Sequence, residues 1–288
     1  MFAKACGKAY KFTRPLIIST RTIDGNVSAT CGTFFVVNDE GWCLTAGHMF
    51  DSFMKFQSDV AKIKELDGLR ASGKATESKD PTLITNHSFW FGWDGVRMEK
   101  VYINRQIDIA IVKLADFKSD AISEYPAFRD PETLHPGTSV CRLGFPFAPV
   151  ATDFDEATRS FRIRQGVLPL PFFPNDGIHT RNISRGMSKD DKVEMLYIET
   201  STPGLRGQSG GPIFDTAGRI YAMQVQTNHI PLGFHPTAEY GGQSVVENQF
   251  MNVGVAVHGK VLQQLMRRHG VKFNVETQGG DGETYVIN

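Results

Sequence analysis

A serine set among glycines, with a proline closing the turn, constrains this chain more than any other stretch: Gly207-Gln208-Ser209-Gly210-Gly211-Pro212. A serine hydroxyl is a weak nucleophile. It needs a base to take its proton and a site for the negative oxygen that its attack creates. Glycine two residues before the serine lets the backbone aim two N–H groups, those of Gly207 and Ser209, at one point. That point would be an oxyanion hole. Gly210 and Gly211 remove side chains that would crowd a substrate carbonyl. Taken alone, the same letters also describe a Gly-rich surface turn.

Two more stretches narrow the choice. Trp42-Cys43-Leu44-Thr45-Ala46-Gly47-His48 is an apolar run that ends in histidine, after a β-type run at Thr33-Phe34-Phe35-Val36-Val37. Asp108-Ile109-Ala110-Ile111-Val112-Lys113-Leu114 puts an acid at the head of another strand. Histidine as base, aspartate as its orienter and serine as nucleophile occur here in the order His, Asp, Ser. Asp94 and Asp116 lie nearby, and an acid that opens a strand is often only a turn residue. The sequence resembles the trypsin-like, chymotrypsin-fold serine proteases in three motifs at once. Its flanking residues, with Leu143-Gly144-Phe145-Pro146-Phe147 and Gly254-Val255-Ala256-Val257, are similar to the bacterial HtrA/DegP-like branch. The resemblance covers roughly residues 16–270, and the chain ends too soon for the PDZ domain that this branch usually appends. It implies that His48, Asp108 and Ser209 are catalytic and that Gly207 and Ser209 form the hole.

Composition sets outer limits. The chain has 288 residues, 41% of them hydrophobic, which suits one large all-β unit or two small domains. Net charge is zero, so nothing points to nucleic acid or an anionic membrane. No apolar run approaches the ~20 residues of a membrane helix. The first residues lack the apolar stretch of a signal peptide, so the expected location is cytoplasmic unless a leader has been removed. The four cysteines, Cys6, Cys31, Cys43 and Cys141, have neither a disulfide framework nor a zinc spacing and read as reduced core thiols. Extracellular trypsin-like enzymes resemble one another in a cysteine just after the histidine, and here that residue is Met49. No cofactor and no metal are expected.

The fold class expected is all-β: two six-stranded antiparallel barrels, with a helical insertion after His48 and a C-terminal helix. Residues 1–125 would form the first barrel, carrying His48 and Asp108, and residues 126–288 the second, carrying Ser209. Residues 1–14 read as an arm or edge strand. Helical spacing of Phe50, Phe53, Met54, Phe56, Val60, Ile63 and Leu66 predicts the insertion. Val261, Leu262, Leu265 and Met266 predict the last helix, over residues 259–269. Residues 71–81, 169–192 and 229–248 read as loops, and the tail from Glu276 as mobile.

The pocket comes from the resemblance. Pro203 and Gly204 form one wall where some relatives carry an aspartate. Gln224, Val225, Gln226 and Thr227 form a second and pair with an extended substrate. A third lies near Asn252 to Ala256. This lining favours apolar or small residues before the cleaved bond, although Arg206 on the rim could attract an acidic one. The function expected is a serine endopeptidase working through an acyl-enzyme on a protein or peptide substrate. A regulatory protein partner is left open, and so is oligomeric state. The alternative is a catalytically silent domain of the same shape that binds extended peptides. An esterase would share the acyl chemistry but would have no use for a peptide-strand groove.

Overall fold

The computed structural model describes residues 1–73, 80–190 and 192–276, and the backbone of 283–285. Its first sheet contains β1 (Thr13–Thr22), β2 (Val27–Val36), β3 (Trp42–Thr45), β4 (Ile84–Phe91), β5 (Arg97–Asn104) and β6 (Ile109–Ala115). The spatial order is β4-β1-β2-β3-β6-β5, antiparallel throughout. β-Branched and aromatic residues build these strands because a pleated, buried surface suits them. Between β3 and β4 lies α2 (Asp51–Ala71), the expected helical insertion. Phe53 and Phe56 of α2 pack against His87, and Phe53 also meets Phe89 of β4.

The second half contains β7 (Ala127–Arg129), β8 (Ser139–Gly144), β9 (Thr152–Asp155), β10 (Ser160–Ile163), β11 (Phe173–Met187) and β12 (Glu194–Thr200). It continues with β13 (Pro212–Phe214), β14 (Ile220–Pro231), β15 (Thr237–Tyr240), β16 (Gln243–Val246), β17 (Phe250–His258), β18 (Phe273–Glu276) and β19 (Glu283–Tyr285). Six of these run β13-β8-β11-β12-β17-β14, and β13 pairs with β14 as well, which closes the ring. Closure leaves the barrel without a free edge along its pairing. β7 and β18 extend the sheet outward in parallel. α3 (Gly259–Arg268) follows β17 and buries Val261, Leu262, Leu265 and Met266, as the spacing predicts.

Four expectations need correction. Residues 1–14 are not an arm or edge strand: Ala3–Phe12 form α1, which buries Ala5, Cys6, Ala9 and Phe12 on one helical face. The lysines between them mask that period. α1 also touches the second barrel, where Phe2 meets Phe214 edge-on and Lys8 Nζ donates to the Ala217 carbonyl. Residues 169–192 are not simply a loop, because they contain β11, the strand that joins β8 to β12. Residues 229–248 contain the end of β14 and the β15–β16 hairpin. The tail supplies β19, paired with β18. Residues 74–79 of the expected loop, and 277–282 and 286–288 of the tail, lie outside the described residues.

One apolar cluster runs through the first sheet, whose ends β4 and β5 are not paired to each other, and the second barrel, from Leu16, Phe34, Phe35 and Ile111 to Leu143, Met223 and Val255. Each fully buried ring or branched side chain contributes about 2–3 kcal/mol. Cys6, Cys43 and Cys141 are buried free thiols, and Cys31 is half-buried and free. Among the described residues no helix is long and apolar enough to cross a membrane.

Candidate active site

The end of β3 delivers His48. Its strand stops at Thr45, and Gly47–Phe50 form a single 3₁₀ turn anchored by Phe50, which is fully buried. Asp108 sits one residue before β6, whose Ala110 pairs with Thr45. The turn ahead of it is tightly held. Asn104 accepts the Ile107 N–H through its side chain, and the Asn104 carbonyl accepts the Asp108 N–H. Tyr197, from the second barrel, donates its hydroxyl to the carbonyls of Gln106 and Ile107. Asp108 adopts φ +67°, a left-handed conformation that aspartate tolerates better than most residues.

That turn places both carboxylate oxygens on one partner. Asp108 Oδ2 lies 2.8 Å from His48 Nδ1, and Oδ1 accepts the His48 backbone N–H at 2.7 Å. A Cβ on Gly47 would lie 3.1 Å from the Ile109 nitrogen, so glycine is what lets the two segments approach. The imidazole is thus fixed in ring orientation, and its other nitrogen, Nε2, is left for other work. Asp94 and Asp116 do not join this pair: Asp94 accepts from Trp90 Nε1, and Asp116 pairs with Arg97.

The serine turn is locked to the same strands from the other side. The Ser209 carbonyl accepts the Thr33 N–H at 2.9 Å, and the Gly207 carbonyl accepts the Thr33 hydroxyl at 2.7 Å. Gly210 has φ +83°, and a Cβ there would lie 2.2 Å from the Thr33 carbonyl and 2.8 Å from the Ala46 nitrogen. No other residue fits at this seam. Ser209 therefore packs beside the Thr45-Ala46 segment that leads into His48.

Each peptide of the turn is also pinned. The Arg206 carbonyl accepts the Phe147 N–H at 3.3 Å, which leaves the Gly207 N–H on the opposite side of that trans peptide. Gln208 is fully buried. Its Oε1 accepts the Leu205 N–H at 3.0 Å, and its Nε2 donates to the Phe173 carbonyl of β11 at 3.1 Å. Among the described residues, the N–H groups of Gly207 and Ser209 have no hydrogen-bond acceptor.

A cleft of about 450 Å³ opens beside Ser209. Pro203, Gly204, Gln224, Val225, Gln226 and Thr227, the residues expected to line a pocket, all line it. Thr227 Oγ1 donates to the Gly204 carbonyl at 2.6 Å and ties two walls together. A Cβ on Gly204 would lie 2.2 Å from Gln224 Nε2, so the glycine leaves room for that amide. Along β14 the register passes from Gln224–Ala256 to Gln226–Val255, with Val225 left out of the pairing. Phe147, Leu205, Arg206, His229 and Asn252 complete the lining. Arg206 was expected on the rim, and the sequence also put a wall near Asn252. Phe147, Leu205 and His229 were missed. Phe147, exposed and at φ +57°, follows an apolar Phe-Pro pair that reads as core. Met49 Sδ packs against Gly32, beside Cys31. Among the described residues no group of three His, Cys, Asp or Glu side chains could hold a metal ion.

A sheet whose strand ends hold a His–Asp pair, and a closed barrel whose serine turn is hydrogen-bonded to Thr33 of that sheet, define the chymotrypsin-like class of fold. Comparison with known proteins agrees. Residues 32–223 match the trypsin-like peptidase domain, and the chain belongs to that family. Among solved structures it is similar to an HtrA-type protease, AlgW, bound to a tripeptide, with 13% identity, 93% of this chain and 62% of that one covered, and a TM-score of 0.50. The same protease with a decapeptide gives 13% identity, 95% and 69% coverage and a TM-score of 0.51. The active form of the Rv3671c protease from M. tuberculosis gives 12%, 93% and 84%, and 0.51. The chain thus spans under two thirds of the first of these structures. No curated protein matches it.

Proposed function

We propose that this protein is a serine endopeptidase. The observation that carries the reading is the two-oxygen grip of Asp108 on His48, at the end of the Thr45-Ala46 segment against which the Ser209 turn packs. Ser209 Oγ attacks the carbonyl carbon of a peptide bond, and His48 Nε2 takes the hydroxyl proton. Asp108 holds the tautomer and balances the imidazolium. The N–H groups of Gly207 and Ser209 receive the developing oxyanion. His48 then gives its proton to the leaving amine, and water hydrolyses the ester by the same steps in reverse.

A peptide substrate, rather than a small ester, is supported by the strand edge at the cleft. Past Gln224, whose carbonyl accepts the Gly210 N–H, the outer edge of β14 from Val225 to Thr227 carries no paired strand among the described residues. An extended chain can add itself there and gain main-chain hydrogen bonds. The test is labelling by an active-site fluorophosphonate, together with cleavage of a peptide library. Wild type is expected to be labelled at Ser209 and to cut. Labelling elsewhere, or persistent cleavage by Ser209→Ala, would remove the assignment. Peptide binding without labelling would instead favour the catalytically silent domain.

A further inference from the structure

The interior of the second barrel has an apolar end and a polar end. Val140, Ile198, Ala222 and Ala256 face inward and pack with Leu134, Ile213 and Tyr221. Alternation puts the residues two positions away on the same face, and these are Arg142, Thr200, Gln224 and Gly254. The register agrees, since Arg142 lies opposite Ile213, Gln224 opposite Ala256 and Thr200 opposite Gly254. Gln224 also lines the cleft, so the polar end is the end that faces it.

Arg142 is out of place in such an interior. It is 1% exposed and has no carboxylate partner among the described residues. Its one side-chain acceptor is the Thr200 hydroxyl, through Nη2. Nε and Nη1 are both buried with no hydrogen-bond partner. Burial pulls its pKa down to about 10, so it remains a cation at neutral pH. A buried, unpaired charge is among the costlier features a fold can keep. A site that needed only volume would hold leucine or methionine.

Its surroundings lead to the cleft. A Cβ on Gly254 would lie 2.7 Å from Nη1 and 2.8 Å from Nη2, so this glycine makes room for the guanidinium. Gly254 pairs with Thr227 and lies two residues from Asn252, both of them cleft residues. Thr200 Oγ1 also reaches the Thr202 carbonyl, at 3.0 Å, next to Pro203. Asn175, opposite Arg142 in register, holds the Pro203 carbonyl through Nδ2 at 2.9 Å. The guanidinium therefore lies one layer behind the wall made by residues 202–204 and 252–254. The lining includes no aspartate or glutamate, and Arg206 stands at its rim.

We infer that the cleft selects an acidic residue before the cleaved bond, glutamate above all, and that Arg142 is the specificity-determining group for its carboxylate. The inference rests on the peptidase reading. It revises the expectation of an apolar or small residue, which followed from the uncharged wall alone. A carboxylate would supply the acceptors that Nε and Nη1 lack, and a guanidinium donates to it in two parallel hydrogen bonds. Because the charge lies behind the wall, the longer glutamate reaches it better than aspartate.

The test compares kcat/KM for matched peptides with Glu, Gln, Asp, Leu or Lys before the scissile bond. Wild type is expected to prefer Glu over the isosteric Gln by about 100-fold or more, since a site built to pair a charge rejects the analogue without it. Arg142→Met is expected to bring that ratio close to one, and Arg142→Lys to restore part of it. If either variant fails to fold, the wild-type series still decides. Equal rates for Glu and Gln, or Leu as the best residue, would overturn the inference and leave the peptidase standing. Failure of every peptide, with no fluorophosphonate label, would overturn both. A last outcome concerns Gln224, whose buried Oε1 also lacks a partner. If Arg142→Met and Gln224→Leu both change stability while the Glu:Gln ratio stays fixed, the two side chains serve each other and the inference falls.

Discussion

The first sheet packs its core with rings, and the second barrel is filled half with hydrocarbon and half with polar groups. In the first, Phe34 meets Phe91 and Trp93 edge-on, and Phe50 and Phe91 each meet Phe89. In the second, the inward face runs from Val140 and Ala222 to Arg142 and Gln224 within one strand pleat. A ring-filled interior is rigid because it packs at crystal-like density with few voids. That suits a half whose strand ends hold His48 against Asp108. A polar interior contributes less to stability.

The largest expected effect tests whether the two halves act as one machine. His48→Ala, in the first, and Ser209→Ala, in the second, should each lower turnover about 10⁴-fold or more, and the double variant little further. Single-turnover kinetics on folded protein measure this, and additive losses would mean that the halves work independently. Next, Phe34→Ala should cost about 3–5 kcal/mol in urea unfolding, as expected for a fully buried ring. Arg142→Met should go the other way and raise stability by about 1–4 kcal/mol, because it removes an unpaired buried charge. Equal destabilisation by both would erase the contrast between the interiors.

The smallest effect is a pH dependence in the second half. Burial lowers the His258 pKa to about 4, helped by nearby His179 and Lys260, while Nδ1 accepts the Lys260 N–H that starts α3. The folded state thus resists a proton that the unfolded chain takes near pH 6.5. Stability from this group is present above pH 6.5 and is lost as the pH falls toward 4, by about 3 kcal/mol at most. His87, lowered to about 4 by burial, adds a slope of the same sign from the first half. Unfolding midpoints from pH 8 to 4 should show the combined slope, and His258→Asn should flatten part of it.

The chemistry-bearing stretches were legible because chemistry restricts them locally. A serine turn with positive φ at Gly207 and Gly210 needs glycine there, and the letters record it. The strands β2, β3 and β6 were legible from β-branched and apolar runs. β11 was not, because it joins β8 to β12 through its backbone. Its pairing with β8 and β12 is made by peptide groups, and most of its side chains are exposed, with Asn, Asp and Gly among them. α1 hid behind lysines that project from a helix with one buried face. Arg142 was passed over for a different reason. A lone arginine between Cys141 and Leu143 reads as a solvent-facing position, and only barrel closure makes both faces of that strand interior.

Gln208 gives the serine turn a property that no ion pair could give it. Just ahead of the nucleophile this chain sets a neutral amide that donates to Phe173 and accepts from Leu205 at the same time. Neither bond titrates between acid and alkali, and neither weakens by counter-ion screening. The shape of the turn is therefore decoupled from ionic strength. A change of rate from low to high salt would report on the charges that meet the substrate, with the hydrogen bonds of Gln208 held constant.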